Sequence, residues 1–576
     1  MSLARATAAL IGAALVLLAL ALAPRAVFAA WPTDPSVNVV VSAAAGIQAF
    51  RGACTDGAGG MFIAWGDTRT GSGDIYAQHM DAQGAALWTP GGKLVCGATG
   101  DQDQPVLVPD GTGGILVAWR DFRNSVTGDI YAQRMDAAGT RKWGLNGVPV
   151  CSTAGEQAFP VIVSDMRTRV PGPLGPANPY GAIIAWEDWR DDISIHAQRV
   201  NADGEMLWLA DGLSLSLDPA PQFDPDLVSD GSGGAFAVWS QQGGDSYEVG
   251  GQHVENGGTL VWGVNGRIVN SAPGAQVHPV AVRDSSDGVI VVWEDHRGAD
   301  SDIYAQRLSY FGSTRWPLAG VPICAMAGDQ WQPMIASDGA GGVLTAWTDQ
   351  RAGDDIYAQR TLGSGAPAWT VGGVGVCTAA NVQQFPSIVG DGHQGAMLAW
   401  EDYRPGTVAD IYSQRIDGTG TPRWTPNGEV VSNAVGNQYG TAIVADGDTL
   451  GIVVWTDQRA GGNDLYAQSV PFVITLGVES APPPGRTRIA AAPNPSFGPV
   501  TLSFALAAPA DVDLAVYDAA GRRVRTLLRG ARAGGEHAAR WDARDDDGRA
   551  CSPGAYWVRL RVDGETAGSG ALTLRR

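Results

Sequence analysis

Five ring-bearing side chains interrupt an otherwise regular sequence pattern, and their chemistry suits the binding of a ligand. Four of them stand in the middle of an Asp-x-Arg triplet: Phe122, Trp189, His296 and Tyr403, where other copies of the triplet carry Thr or Gln. The fifth, Trp331, lies outside both tryptophan positions of the pattern. Exposed rings on loops can stack on a sugar or on a partner's side chain. We therefore predict that these five residues bind a ligand.

No catalytic centre is predicted, because the residues that could form one are either scattered or repeated. The histidines lack a metal-ligand spacing such as HExxH, and there is no GxSxG nucleophile motif. Acidic residues follow the recurring tryptophan in several copies of the pattern: Glu187, Asp188, Glu294, Asp295, Glu401 and Asp402. Since a catalytic constellation does not repeat with a fold, this repetition favours a structural role.

Two further recurring polar features are interpreted as structural. The Asp and Arg of each triplet are predicted to form a charge-assisted pair that braces the following loop, and a charged ligand-binding ring is the alternative. A glutamine recurs within the phrase DIYAQR and is predicted to be a buried amide that satisfies backbone groups. Its positions are Gln78, Gln133, Gln198, Gln252, Gln306, Gln359, Gln414 and Gln468.

No cofactor and no metal are predicted. Calcium at the Asp-Gly turns or at 545–548 is left open, although the DxDxDG spacing of a calcium loop is absent. Four cysteines end the same phrase in different repeats, so they are expected to be too far apart to form disulfides. Cys96, Cys151, Cys324 and Cys377 are therefore interpreted as small core residues.

An internal repeat determines which elements must position these residues. A tryptophan closes an apolar run at intervals of 53 to 55 residues, with one interval of 67: Trp65, Trp119, Trp186, Trp239, Trp293, Trp347, Trp400 and Trp455. The long interval contains an insertion at 166–180. Each repeat reads as four short strands separated by turn residues, which is typical of a β-propeller. The sequence therefore predicts an all-β chain with an eight-bladed β-propeller over 30–472.

The two ends of this region are complementary. A second tryptophan precedes a glutamine by 14 residues in seven repeats, but the eighth repeat stops before that strand. The missing pattern appears at the start, where Trp31 and a strand-like VNVVVS precede Gln48 by 17 residues. An N-terminal strand that completes the last blade would close the ring and remove an exposed sheet edge. We predict this closure.

The N-terminus and the charge indicate where the chain acts. Arg5, an apolar run over 6–23 and small residues up to Ala30 are typical of a signal peptide, predicted over 1–29, with a retained anchor as the alternative. No later segment is apolar enough to cross a membrane, so none is expected in the mature chain. The net charge of -20 excludes nucleic acid as the expected partner, because phosphate binding needs a basic surface.

The C-terminal part differs from the repeats. A proline-bearing connector at 473–488 is typical of a linker, and alternating apolar residues over 489–576 predict a small β-sandwich. Its motifs run in order: PNP at 493–495, VYD at 516–518, GR at 521–522, WD at 541–542, DDG at 546–548 and SPGAY at 552–556. These motifs resemble the immunoglobulin-like domain of FlgD type, which is similar to the sorting domain of type IX secretion. The resemblance implies an export or attachment domain with the secretion machinery as its partner.

The repeat phrases AW-x-D-x-R and DIYAQR resemble those of exported bacterial propellers over 31–472, which implies a fold and no particular activity. The expected function is binding or adhesion without catalysis, at the cell surface, the outer-membrane face or outside the cell. A glycan or a surface protein is the expected partner. The alternatives are a carbohydrate-active enzyme of sialidase, hydrolase or lyase type with a site in the propeller funnel, and a structural envelope protein.

Overall fold

The computed structural model describes residues 31–32, 34–166, 180–270, 272–445, 450–471, 490–492, 499–506, 508–517, 523–546, 548–551, 554–562 and 565–574. The predicted signal peptide, most of the insertion at 166–180 and the predicted linker lie outside these residues. So do the PNP motif, Asp518, the GR motif, Asp547 and the first two residues of SPGAY. The chain divides into two compact units, Met1–Ile474 and Thr475–Arg576.

Every regular element of the described residues is a β-strand, as expected from the short apolar runs and frequent turn residues. Within these residues no helix is long and apolar enough to span a bilayer. The first unit begins with β1 (Val39–Ser42) and then forms successive four-stranded antiparallel sheets, here numbered 1 to 8 along the chain.

The strands of each sheet follow one another in sequence. Sheet 1 contains β2 (Gln48–Thr55), β3 (Met61–Asp67), β4 (Asp74–Met80) and β5 (Lys93–Cys96). Sheet 2 contains β6 (Gln102–Pro109), β7 (Ile115–Asp121), β8 (Asp129–Met135) and β9 (Val148–Cys151). Sheet 3 contains β10 (Gln157–Ser164), β11 (Ala182–Asp188), β12 (Ser194–Val200) and β13 (Leu213–Ser214). Sheet 4 contains β14 (Gln222–Ser229), β15 (Ala235–Gly243), β16 (Ser246–Val254) and β17 (Arg267–Asn270).

The remaining sheets keep this order until the last one. Sheet 5 contains β18 (Gln276–Arg283), β19 (Val289–Asp295), β20 (Asp302–Leu308) and β21 (Val321–Cys324). Sheet 6 contains β22 (Gln330–Ser337), β23 (Val343–Asp349), β24 (Asp355–Thr361) and β25 (Val374–Cys377). Sheet 7 contains β26 (Gln383–Gly390), β27 (Ala396–Asp402), β28 (Asp410–Ile416) and β29 (Glu429–Ser432). Sheet 8 contains β30 (Gln438–Ala445), β31 (Leu450–Asp457), β32 (Asp464–Pro471) and, as its outer strand, β1.

Sheet 8 therefore combines the two ends of the repeat region, as the sequence predicts. Strand β1 pairs antiparallel with β32, with Val39 opposite Ala467. The indole Nε1 of Trp31 donates to the carbonyl of Ala82 in sheet 1 at 2.9 Å. Trp88 makes the equivalent bond from sheet 1 to Ala137 of sheet 2, at 3.0 Å. Trp31 thus occupies the position of the second tryptophan of the repeat.

The core lies between neighbouring sheets. The second strand of each sheet is largely apolar because both of its faces are covered, and in β3 all seven residues are buried. Met61 and Trp65 of sheet 1 pack against Ile452 and Val454 of sheet 8. The first strands of successive sheets are in contact, and β30 also contacts β2. The first unit is therefore an all-β, β-propeller-like fold.

The Asp-x-Arg triplets form ion pairs at the end of the second strand in every sheet except sheet 4. In sheet 6, Asp349 is fully buried and accepts hydrogen bonds from Trp347 Nε1 at 2.7 Å and Arg351 Nη2 at 2.6 Å. The Arg351 guanidinium lies over the Tyr357 ring at 3.9 Å. The four cysteines have more than a packing role, because Cys324 Sγ accepts from the same Arg351 Nη2 at 3.1 Å.

The recurring glutamine of the third strand is a buried amide, as the sequence predicts. Gln359 donates to the carbonyl of Thr370 at 2.7 Å, and its carbonyl oxygen accepts from the backbone N–H groups of Arg360 and Trp369. One side chain thereby joins the third strand to the turn that leads into the fourth. The same set of bonds recurs at Gln78, Gln133, Gln198, Gln252, Gln306 and Gln414.

The second unit contains two antiparallel sheets. Its strands are β33 (Ala490–Ala492), β34 (Val500–Leu506), β35 (Ala510–Tyr517), β36 (Arg523–Arg532), β37 (Gly535–Trp541), β38 (Gly554–Val562) and β39 (Glu565–Leu574). One sheet has the order β33-β34-β37 and the other has the order β36-β35-β38-β39. Leu502, Leu514, Trp541 and Leu560 are fully buried and form the core of this unit.

Candidate functional site

A bulge near the start of the first strand shapes one end of sheets 2 to 8. The pairing register with the second strand shifts there, for example between Trp331 and Met334 in sheet 6. The residue two positions after the initial glutamine has a positive φ: Gln104, Phe159, Asp224, His278, Gln332, Phe385 and Gly440. Residues other than glycine rarely adopt a positive φ, and each residue that does so costs roughly 1–3 kcal/mol. Such strain is often found at binding sites, and bulges re-aim side chains there.

The recurring glutamates hold these bulges in place. Glu187 accepts from the backbone N–H of Asp224 at 2.9 Å, and Glu294 accepts from that of Gln332 at 2.6 Å. Glu401 accepts from the N–H of Gly440 at 2.8 Å. Each glutamate belongs to one sheet and the bulge that it holds belongs to the next. The predicted structural role of these residues is therefore observed, and two of them also line a pocket.

A well-formed pocket lies at these bulges, in sheets 4 to 8. Its volume is about 1100 Å³. Four of its aromatic side chains are Trp331, Phe385, Tyr403 and Tyr439. Its carboxyl groups are those of Asp224, Asp226, Glu294 and Glu401, accompanied by the imidazole of His278. Pockets that combine rings with a few polar groups in this way are common ligand sites.

Three ionisable side chains form a contact network at the mouth of the pocket. His278 Nδ1 lies 3.3 Å from Glu294 Oε2, and His278 Nε2 lies 3.9 Å from Asp224 Oδ2. The hydrogen bond that His278 donates to Glu294 raises the pKa of His278 above its usual value. The His278 side chain is 60% exposed, whereas that of Glu294 is 8% exposed. The imidazole ring therefore has a carboxyl group beside each of its nitrogens.

Two other carboxyl groups of the pocket are perturbed by burial. Burial raises the pKa of Glu401 to about 7, despite the bonds to Gly440 and Tyr403 that oppose this shift. Burial also raises the pKa of Asp226 to about 6, although it accepts from the N–H groups of Ala281 and Leu227. A carboxyl group with such a pKa is partly protonated near neutral pH, so it can donate a hydrogen bond as well as accept one.

Several polar atoms of the pocket residues have no hydrogen-bond partner among the described residues. They are Nε1 of Trp331, Oε1 of Gln332 and Oγ1 of Thr441, and each atom is itself buried. A buried polar atom without a partner costs about 1–3 kcal/mol.

Glu401→Gln should stabilise the protein at high pH and leave it unchanged at low pH. A carboxyl group whose pKa rises from 4.5 to about 7 on folding lowers stability as pH increases through this range. Above pH 7 the lost stability is about 3 kcal/mol, and below pH 4.5 it vanishes. The amide keeps an acceptor for Gly440 and carries no charge. Urea unfolding at both pH values measures the difference.

Glu205→Gln is the matched control, because Glu205 is an exposed turn residue. Its substitution should leave the pH dependence of unfolding as in the unaltered chain. If Glu401→Gln changed stability equally at both pH values, a buried charge would not be the cause.

The structure brings two of the five predicted ligand-binding residues into this pocket, namely Trp331 and Tyr403. Phe122, Trp189 and His296 occupy loops of sheets 2, 3 and 5, and they are not among the pocket-lining residues that the structure describes. Their predicted role stays a prediction. Trp189 is 44% exposed, and Phe122 lies beneath the Arg120 guanidinium at 4.9 Å.

Sequence reasoning missed the bulge residues Asp224, His278 and Phe385. The available signal was the phrase Gln-x-x-Pro, in which a proline follows the positive-φ residue in sheets 2 to 7. A proline inside a strand indicates a bulge or an edge, because it cannot donate to the ladder.

As for metals, no group of three or more His, Cys, Asp or Glu side chains within the described ranges is arranged to hold an ion.

Comparison with known proteins adds a domain assignment and a fold likeness. No curated protein matches the chain in sequence. An ulvan lyase of a polysaccharide lyase family is 10% identical with a TM-score of 0.39, covering 77% of this chain and 95% of that one. A Dyadobacter fermentans protein of unknown function is 11% identical with a TM-score of 0.37, covering 75% and 97%. A Hadza microbial sialidase is 11% identical with a TM-score of 0.35, covering 69% and 73%.

These likenesses concern the fold alone. At the other end of the chain, residues 494–566 match the FlgD Ig-like domain family. The C-terminal unit therefore contains an FlgD Ig-like domain.

Proposed function

We propose that this chain is an exported protein that binds a saccharide in the pocket at the bulges of sheets 4 to 8. In this proposal the eight sheets are the blades of a closed β-propeller, and β1 completes the last blade. The pairing of β1 with β32 and the contact of β30 with β2 support closure. Export is supported by the signal-peptide pattern of the first thirty residues. The FlgD Ig-like domain would then serve sorting or surface attachment.

The observation that carries the proposal is the composition of the pocket. Aromatic rings can stack on the apolar face of a pyranose, and carboxyl and amide groups can bind its hydroxyl groups. Trp331 supplies a half-buried ring that lines the pocket, which suits a ligand that is apolar on one face. A protein partner would need a wider and flatter contact than this pocket offers.

The test is a glycan-array screen of the full chain, followed by titration calorimetry of the best ligand. Trp331→Ala should weaken binding at least about tenfold, which corresponds to about 1.4 kcal/mol of lost stacking. Trp557→Ala is the matched control, since Trp557 is an equally exposed tryptophan of the second unit that does not line the pocket. It should leave affinity unchanged.

Equal losses in both variants, or binding that survives Trp331→Ala, would place the ligand elsewhere. No binding to any glycan would contradict the proposal and favour a structural envelope role.

One observation favours a second candidate, a carbohydrate-active enzyme. Glu401 is 5% exposed, lines the pocket and has a pKa raised to about 7 by burial, which suits a general acid. Release of shorter glycans by the unaltered chain, absent in Glu401→Gln, would support this candidate over simple binding.

A further inference from the structure

The charges of the pocket restrict the kind of saccharide that it can hold. Four carboxyl groups line it, and the lining residues that the structure describes include neither lysine nor arginine. A carboxylated or sulfated sugar would therefore meet acidic groups and no guanidinium or ammonium group to pair with. The lining of the pocket therefore disfavours the binding of anionic ligands.

His278 does not change this conclusion. It is the one lining residue that can carry a positive charge, but its two ring nitrogens already face Glu294 at 3.3 Å and Asp224 at 3.9 Å. Its charge is thus balanced within the protein. An anionic ligand that approaches this ring would also meet Glu294 and Asp224.

The arginines of the neighbouring triplets are also engaged. Arg404 donates to Asp402 at 2.6 Å and to the carbonyl of Asn427 at 2.7 Å, and its guanidinium lies 3.8 Å from the centre of the Tyr412 ring. Arg297 repeats this arrangement, with Asp295 at 2.6 Å and Ala319 at 2.8 Å. These cations are committed to the second strands and to the turns behind them.

The same lining suits a cation. Carboxylates accept strong charge-assisted bonds from an ammonium group, and aromatic faces attract cations within about 6 Å. Trp331 and Phe385 pack edge to face, with their centroids 6.1 Å apart, so their rings are held in fixed positions within the pocket. The whole chain, with a net charge of -20, also attracts a polycation at long range.

We infer that the pocket selects saccharides with protonated amino groups, prefers them to their N-acetylated counterparts, and rejects saccharides that carry carboxylate or sulfate. This inference rests on the proposed saccharide binding and specifies its ligand class. The required ligand is an oligosaccharide of free amino sugars, in which each ring offers an apolar face and an ammonium group.

The test compares three oligosaccharides of equal length by titration calorimetry on the full chain: glucosamine, N-acetylglucosamine and a uronic acid. The glucosamine oligomer should bind at least about tenfold more tightly than the N-acetylated one. The uronic acid oligomer should not bind. Raising NaCl from about 0.05 M to about 0.5 M should weaken only the glucosamine complex, because screening acts on the charge pair.

Asp224→Asn removes one charge with little risk to folding, since the Asp224 side chain is 51% exposed. This variant should reduce the preference for glucosamine over N-acetylglucosamine at least about threefold, while its melting temperature stays unchanged. Asp203→Asn is the control, because Asp203 is exposed in a turn of sheet 3 and does not line the pocket. It should keep the full preference.

The outcomes separate the two proposals. Equal affinity for the amino and N-acetylated oligomers would overturn the charge inference and leave saccharide binding intact. Tightest binding of the uronic acid oligomer would overturn it as well. If none of the three bound and the glycan array were also empty, saccharide binding itself would fail.

Discussion

A chain that begins at Ala43 should lose at least about 5 kcal/mol of unfolding free energy relative to one that begins at Trp31. The shorter chain lacks β1, so β32 becomes an unpaired edge and the core shared by sheets 8 and 1 is opened. Val41, which is 2% exposed in that core, is lost together with the bond from Trp31 to Ala82. Urea unfolding of both chains, followed by tryptophan fluorescence, measures the difference.

The comparison is matched, because both chains lack the predicted signal peptide and differ only by β1 and its approach. If the shorter chain does not fold, Val41→Ala in the longer one provides a milder test. It should cost about 1–2 kcal/mol, as expected for a buried side chain that loses two methyl groups. Equal unfolding midpoints for all three chains would show that β1 does not support the fold.

Asp349→Ala should cost about 3–5 kcal/mol, because it leaves charged and polar groups buried without partners. Asp349 accepts bonds from Trp347 Nε1, from the Arg351 backbone and from both Nε and Nη2 of Arg351. The Arg351 side chain is 19% exposed, so water cannot fully replace these bonds. Thermal unfolding monitored by circular dichroism measures the loss.

Sheet 4 supplies the matched control. Gln241 stands where the other sheets carry the aspartate, and it accepts from Trp239 Nε1 at 3.1 Å without a charged partner. Gln241→Ala should therefore cost about 1 kcal/mol, the usual net value of one neutral hydrogen bond. If the two substitutions cost the same, the ion pair would add nothing beyond the bond to tryptophan.

Much of the fold could be predicted because the chain repeats its local signals. The apolar run that ends at each first tryptophan predicts a strand buried on both faces. Strands β3, β7 and β11 end shortly after these tryptophans and are almost completely buried. The position of Trp31 and Gln48 predicts the strand that joins sheet 8, because their pattern is missing only from the last repeat. The four cysteines were understood only in part, since packing alone does not indicate that Arg351 donates to Cys324.

The candidate site was harder to predict. The positive φ of Asp224 and His278 has no glycine to reveal it, and only the structure shows that these residues turn toward one pocket. The repetition of Glu294 and Glu401 predicts a structural role. Each does hold a bulge of the next sheet, but each also lines the pocket. Repetition indicates a structural role, but it does not prevent a residue from serving a ligand as well.

The pairing of β1 with β32 also bears on how the chain is made. Val39 lies opposite Ala467. Strand β1, which is synthesised first, can therefore pair only after β32, near the end of the unit, has been synthesised. Contacts this distant in sequence form slowly, and until then β1 exposes an unpaired edge. A chain that is cut short before Asp464 can never complete sheet 8. Synthesis therefore delivers a finished first unit only when the whole repeat array has been made, and truncated products remain open to proteolysis.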